Sequence, residues 1–554
     1  MKKVFAVILS AALLLTTLTA CGGTAAQTTE ESTAAQTETV EAAAATETTE
    51  AAEAVESTGA DAPGGTPPGD PPDGTPGGTP PGDPPDGMPG GTPPGDTPDG
   101  MPGGTPPGDP PGGMPGGTPP GDPPDGMPGG TPPGDPPGGM PGGGPGGSSA
   151  DIDYAGAVTI TSGDTQSGQS YTSTAADESA LLISTADKVT ITDPTVIKSG
   201  DSDGGDSCNF YGLNAAVLVK DGATVTIEGG TVSSDADGAN GVFCYGGNGG
   251  QNGAAGDGTT LYIYDTVIVT TGDGSGGIMT TGGGVTYAYD LDVTTSGRSS
   301  APIRTDRGGG TVVVDGGTYT SNGLGSPAIY STADITVSNA TLTSNLSEGV
   351  CIEGLNSITL VDCDLTANNT QRNSNATFLD TIMIYQSMSG DAASGTSHFT
   401  MTGGSLTSKS GHIFHVTNTN AVITLKGVTI VNDDADNILL SVCADGWSGG
   451  SNVAALKAIA QQLAGAIKVG SDSSLTLELT DGSSFEGSID GNIVNAKGET
   501  VSTEVGTVSV TLDGTSTWTL TGDSYVTEFS GDAANVIANG YILYVNGVAL
   551  TGTK

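Results

Sequence analysis

Between Ser300 and Asn368 the chain repeats one pattern three times. Each unit opens on an apolar residue (Ile303, Ile329, Ile352), turns, and then alternates apolar with polar positions (Val312/Val314, Ile335/Val337, Ile358/Leu360). A second turn and a third short apolar segment (Tyr319, Leu342, Leu365) close it. Successive openings lie 26 and 23 residues apart. Alternation at period two sends one face of a strand inward and the other outward. A unit this short cannot bury its own apolar face, so the units must stack on one another. Three short strands per unit, with Gly, Asn, Asp and Ser at the corners, predict one coil of a parallel β-helix.

The pattern extends well beyond these units. Openings of the same kind read SALLIS from Ser179, NAAVLV from Asn214, NGVFCY from Asn240, SGGIMT from Ser275, TIMIYQ from Thr381, HIFHVT from His412 and NILLSV from Asn437. About ten to twelve coils fit between Ala157 and Ser530. Their stacked interior is expected to hold Val217, Phe243, Ile278, Ile303, Ile329, Ile352 and Ile384. Asn452–Val469 is rich in Ala and Leu and admits a helix, but alternation resumes at Ser474 and favours irregular strand. Asn535–Leu550 is apolar and punctuated by Asn-Gly, and it is the natural cover for an open solenoid end. A β-sandwich array is the architectural alternative, disfavoured by the short regular period.

The first 150 residues follow different rules. Lys2 and Lys3 precede an apolar run from Val4 to Leu15 that ends in Leu18-Thr19-Ala20-Cys21. This is the charged start and apolar core of a secretory signal, residues 1–20. Its ending resembles the lipobox of bacterial lipoproteins, which implies cleavage before Cys21, a lipid on that thiol and a membrane anchor. Residues 21–65 are mostly Ala, Thr and Glu, which cannot bury a core and should be disordered. Six copies of a 13-residue Pro/Gly/Asp repeat of the type TPPGDPPDGMPGG begin at Thr66, Thr79, Thr92, Thr105, Thr118 and Thr131. Gly does not fall at every third position, so collagen is excluded. Between Gly22 and Ala150 there are 19 acidic residues and no basic ones, so self-repulsion extends the stalk. The resulting plan is signal, linker, a stalk over 66–150, a β-helix over 151–534 and a cap over 535–554.

Charge narrows the function classes. The 554 residues carry 15 Lys plus Arg against 62 Asp plus Glu, a net charge of −47. That argues against nucleic acid and anionic membrane surfaces as partners and leaves room for divalent cations, calcium above all. Only 3 His and 6 Cys are present, too few for an elaborate His or Cys metal centre. Beyond Cys21 an odd set remains: Cys208, Cys244, Cys351, Cys363 and Cys443. Cys208 and Cys244 flank one coil and could pair, whereas a Cys351–Cys363 bridge is doubtful.

Aligned on their apolar openings, five coils place Met279, Arg304, Tyr330, Glu353 and Tyr385 in one outward column, with Asp306 and Arg307 just beyond. Tyr rings stack on sugar C–H faces, and Arg grips carboxylates with a bidentate fork. The same column also reads as an ordinary solvated face with Asp306 paired to an Arg. LYIY and TYAY lie 25 residues apart, so Tyr262, Tyr264, Tyr287 and Tyr289 should form either an aromatic platform or a ladder covered by the Gly-rich loop 246–258. A third candidate is the acidic corner Asp201, Asp203 and Asp206 with Asp235, Asp237 and Asp273. It suits calcium or a solvated turn equally. His412 and His415, three apart on a strand, should face opposite ways.

The repeat over Ala157–Lys554 resembles the right-handed parallel β-helix of the pectin-lyase-like superfamily, and more narrowly bacterial surface β-helix lipoproteins that bind acidic sugars or cellulose with calcium. The resemblance implies an extracellular, membrane-anchored protein that binds a polysaccharide or surface glycan without cleaving it. It admits two alternatives: a polysaccharide lyase or glycoside hydrolase of this fold, and a protein-binding adhesin or structural spike. Arg304-Thr-Asp306-Arg307 supplies residue types that such lyases use, without their surrounding Asp cluster. Gly411-His412 alone echoes the hydrolase motifs.

Overall fold

The computed structural model describes residues 152–249, 255–447 and 449–554. The signal, Cys21, the linker and the repeat stalk lie outside the described residues. From Ala155 onward the chain is a right-handed parallel β-helix with three strands per coil. The first sheet has 13 strands, from Ala155–Ile160 to Ile489–Asp490, and the second has 14, from Asp164–Ser167 to Glu528–Ser530. The third has ten strands, from Ser170–Ser173 to Thr429–Asn432, and a separate stack of four continues that face from Gln462–Ala464 to Val536–Ile537. The stack is thus longer than ten to twelve coils. The added strands are terminal ones, such as the largely exposed Asp164–Ser167 and the two-residue Ile489–Asp490, which carry little alternation.

The interior is a set of aliphatic ladders. On the first sheet Ile278, Ile303, Ile329, Val350, Ile382, Phe414, Leu440, Ile467 and Ile489 pair in turn, and all are buried. Two register corrections follow. Phe243 pairs with Met279 and Leu218 on the outer side of the sheet, and Val242 takes the inward place beside Ile278. Ile329 pairs with Val350, so Ile352 stands two positions further along.

Corners are set by left-handed residues. Where the second sheet hands over to the third, twelve coils from Gly168 to Asp481 place one or two residues at positive φ, and in eleven of them these are Gly, Asp or Asn. Those types tolerate this conformation, through a missing Cβ or a short side chain that bonds locally. Asn452–Ile459 is a regular strand in full register with Ser473–Thr480, not an irregular one. Asn546-Gly547, both at positive φ, turn the hairpin that joins Leu543–Val545 to Val548–Ala549 near the C-terminus. All five cysteines after Cys21 are buried and free, so Cys208 and Cys244 are not paired.

Candidate functional site

The outer face of the first sheet is not open. Three secondary cores cover it. The short helix Asp206–Tyr211 lays Phe210 and Tyr211 over Leu218, Phe243, Tyr245 and Met279. Trp447 and Tyr330 pack on Cys351, Met383 and Tyr385. Phe378 packs with Cys443 and Ile493 and stacks on His415 at 4.5 Å. These covers come from chain inserted between strands, and they change the environment of every charged residue beneath.

The predicted Arg/Tyr/Glu column is divided by register. Met279, Arg304 and Tyr330 do share one column, but Cys351 and Met383 continue it. Glu353 and Tyr385 pair with each other in the neighbouring column. The two columns meet through side chains: Tyr330 and Tyr385 hydroxyls donate to Glu353 Oε2 at 2.6 and 3.1 Å, and the Ser387 hydroxyl donates to Oε1. Glu353 is 1% exposed, and burial raises its pKa against the pull of these donors. Burial first, and Glu353 second, also drive both tyrosines upward.

Arg304 donates to Asp306 at 2.8 Å, to Asn209 at 3.2 Å and to the Ser299 carbonyl at 3.0 Å. Asp306 is pushed up to about 7 because burial outweighs Arg304. Arg307 grips Asp391 through Nε at 3.1 Å and Nη2 at 2.6 Å, with its guanidinium 4.2 Å above the Phe210 ring. Its pKa is raised: Asp391 outweighs the opposing effect of burial. The fork expected to hold a ligand carboxylate thus holds Asp391 of the chain's own strap, residues 386–395.

The acidic corner is also internally occupied. Asp201 accepts the N–H of Asp237, Asp237 that of Asp273, and Asp273 that of Arg298, a carboxylate ladder that ties successive coils. The cation among them is Lys198. Its buried ammonium donates to the carbonyls of Ala175, Ser199 and Gly200 at 2.8, 2.7 and 2.8 Å. Burial lowers its pKa, and Glu178, Asp177, Asp201 and Asp235 oppose that. Asp203 precedes the short helix and Asp206 opens it. Among the described residues no group of three or more His, Cys, Asp or Glu is placed to hold a metal. His412 and His415 do not separate cleanly: Phe378 touches both rings, and Ser441 Oγ lies 2.8 Å from His412 Nδ1.

The second sheet presents the opposite picture. Tyr262 stacks on Tyr287 at 5.0 Å and Tyr264 on Tyr289 at 4.7 Å, nearly parallel and half-exposed. Stacking consumes ring faces, so the array offers edges and four hydroxyls to solvent, not one flat aromatic plane. Thr226, Val313, Thr336, Thr359 and Thr400 extend the Tyr262–Tyr287 column, and Glu228 and Asp315 flank the other pair.

Alignment by sequence missed the corner between the first and second sheets. Two hollows of about 420 and 520 Å³ lie along it, over eight successive coils. Gly308–Gly310, Thr311, Asp334 and the exposed Leu355 line one, and Gln386, Ser394, Thr419 and Asn420 line the other. At the strand spacing of about 4.8 Å, seven steps span on the order of 30 Å. Thr311 pairs with Val285, two residues before Tyr287, so the tyrosine array adjoins the first hollow. The GGG run Gly308–Gly310 was the sequence signal: Cβ atoms at Gly308 and Gly310 would meet backbone at 2.4 and 2.8 Å. No family model, curated protein or solved structure matches this chain.

Proposed function

We propose that the chain is a lipid-anchored, stalked extracellular protein whose β-helix captures a polysaccharide or other surface glycan without cleaving it. The observation that carries this reading is the line of two polar hollows along one corner, beside a half-exposed tyrosine array. A chain-like ligand running along the helix axis would meet amide, hydroxyl and carboxylate groups at successive coils, the donors and acceptors that sugar hydroxyls require. The likeness to pectin-lyase-like surface lipoproteins points the same way. Cleavage is disfavoured because Arg304, Asp306 and Arg307 are held by partners of their own chain under cover.

A glycan array run with calcium and with chelator tests the proposal. Binding that falls at least tenfold in Asp334→Ala and Tyr287→Ala, with thermal stability retained, supports it. A blank array in both conditions overturns it and favours a protein-binding adhesin or structural spike. Unsaturated products from acidic polysaccharides, read by absorbance, would instead restore the lyase.

A further inference from the structure

The two corner hollows carry almost no charge. Among the described residues no Lys, Arg or His lines either one, and Asp334 is the single acid. The arginines of the first sheet are committed elsewhere: Arg304 to Asp306 at 2.8 Å and Arg307 to Asp391 at 2.6 Å, both under cover. The column through Thr311 and Asp334 continues to Ser357 and the exposed His398, which counts as neutral at pH 7. No fixed cation therefore stands on this line.

The hydrogen-bonding capacity left over is also of one kind. Ser357 donates to Asp334 Oδ1 at 2.6 Å, so Oδ2 is left to accept. Ser451 donates to Asn420 Oδ1 at 2.7 Å, so the Asn420 amide hydrogens are left to donate. Thr311 and Ser394 add hydroxyls, which do both. Leu355, 45% exposed, adds apolar surface at the first hollow. A sugar hydroxyl donates and accepts, so it can satisfy each of these groups. A carboxylate or sulfate only accepts, so at Asp334 it finds no donor and meets a like charge. Holding such an anion calls for a guanidinium fork or an ammonium, and neither lines the hollows. The field of a chain with net charge −47 adds to the repulsion over a Debye length of about 8 Å.

We infer that the corner takes an uncharged polysaccharide, of the glucan, xylan or mannan kind, and turns away uronate-bearing and sulfated chains. The inference rests on the glycan-capture reading and fixes the ligand class of that same site. Asp334 then has two effects: it accepts from a hydroxyl of the right ligand and repels the wrong one. Acidic sugars, which the family resemblance brings in, become the excluded class.

The test is affinity electrophoresis of the full chain through gels that hold one polymer each. The neutral polymers are mixed-linkage glucan, xylan and galactomannan, and the acidic ones polygalacturonate, alginate and chondroitin sulfate. Each gel is run at low and high salt, with calcium and with chelator. The expected result is retardation by a neutral polymer that salt changes by less than about twofold, because no ion pair holds it. The acidic polymers should give none under any condition. Asp334→Lys, a change at an exposed position, should create retardation by polygalacturonate that high salt abolishes. Should that variant misfold, Thr311→Lys must produce the same gain. Retardation of the native chain by an acidic polymer as strong as by the neutral ones, with or without calcium, overturns the inference and leaves glycan capture standing. No gain in either lysine variant overturns it as well, since the lining would not set the specificity. No retardation by any polymer overturns both the inference and the reading beneath it.

Discussion

The outer faces of the first and second sheets are built on one alternation rule and end in opposite states. On the second, threonines and four tyrosines stand half-exposed on a bare sheet. On the first, straps and a short helix bury the outward residues as deeply as the inward ones: Val350–Glu353, Asp380–Tyr385 and His412–Thr417 are buried at every position. The strand pattern does not decide which face becomes a surface. Chain inserted at the corners does, and it turns exposed charge into internal structure.

Removing a cover should have the largest effect. Phe378→Ala deletes a buried ring that lies on both histidines, and a loss of about 3–5 kcal/mol is expected in chemical denaturation. An unchanged midpoint would mean that the cover contributes nothing and that the two faces are alike. Glu353→Ala strands the hydroxyls of Tyr330, Tyr385 and Ser387 under cover, at a cost of about 3 kcal/mol. Glu353→Gln should recover part of it.

Titration sharpens the contrast, because burial shifts groups on the covered face far. His412 is held down to about 3 by burial. Its folded pKa lies below the unfolded value of about 6.5, so the stability it contributes is present above that pH and lost as pH falls toward 3. Melting temperatures of His412→Gln should therefore fall less steeply over that range than those of the native chain. Asp306, raised to about 7, has the opposite sign: relative to Asp306→Asn, the native chain should lose stability as pH rises from about 4 to 7. The smallest effect belongs to the bare face. Tyr287→Ala should cost no more than about 1 kcal/mol, since one stacked, half-exposed contact is lost. A larger loss would show that the tyrosine ladder is structural first.

Sequence made the solenoid legible because its period is short and its alternation is strict. The register was less legible, for a geometric reason. A slip of one residue flips a strand, whereas a slip of two keeps every apolar residue inside and leaves no trace in the pattern. Matching Ile329 to Ile352 was such a slip, and it misplaced Glu353 and Tyr385. Phe243 misled differently: with Val242 and Cys244 inward and the helix Asp206–Tyr211 outside, both faces of that strand are apolar. The Arg307–Asp391 pair joins residues 84 positions apart, and no local pattern announces such a partner.

Those long-range partners also bear on how the molecule would carry load. A bare solenoid pulled from one end can peel coil by coil, each rung failing alone. Here the Thr281 hydroxyl bonds to Phe210, Arg304 to Asn209, Arg298 to Asn373 and Thr377 to Asp445, over separations of 71, 95, 75 and 68 residues. Each is a stitch across several rungs. A pull entering at residue 152 meets a laminate on one side of the coil and a zipper on the other, so several coils must yield together before the end can unwind.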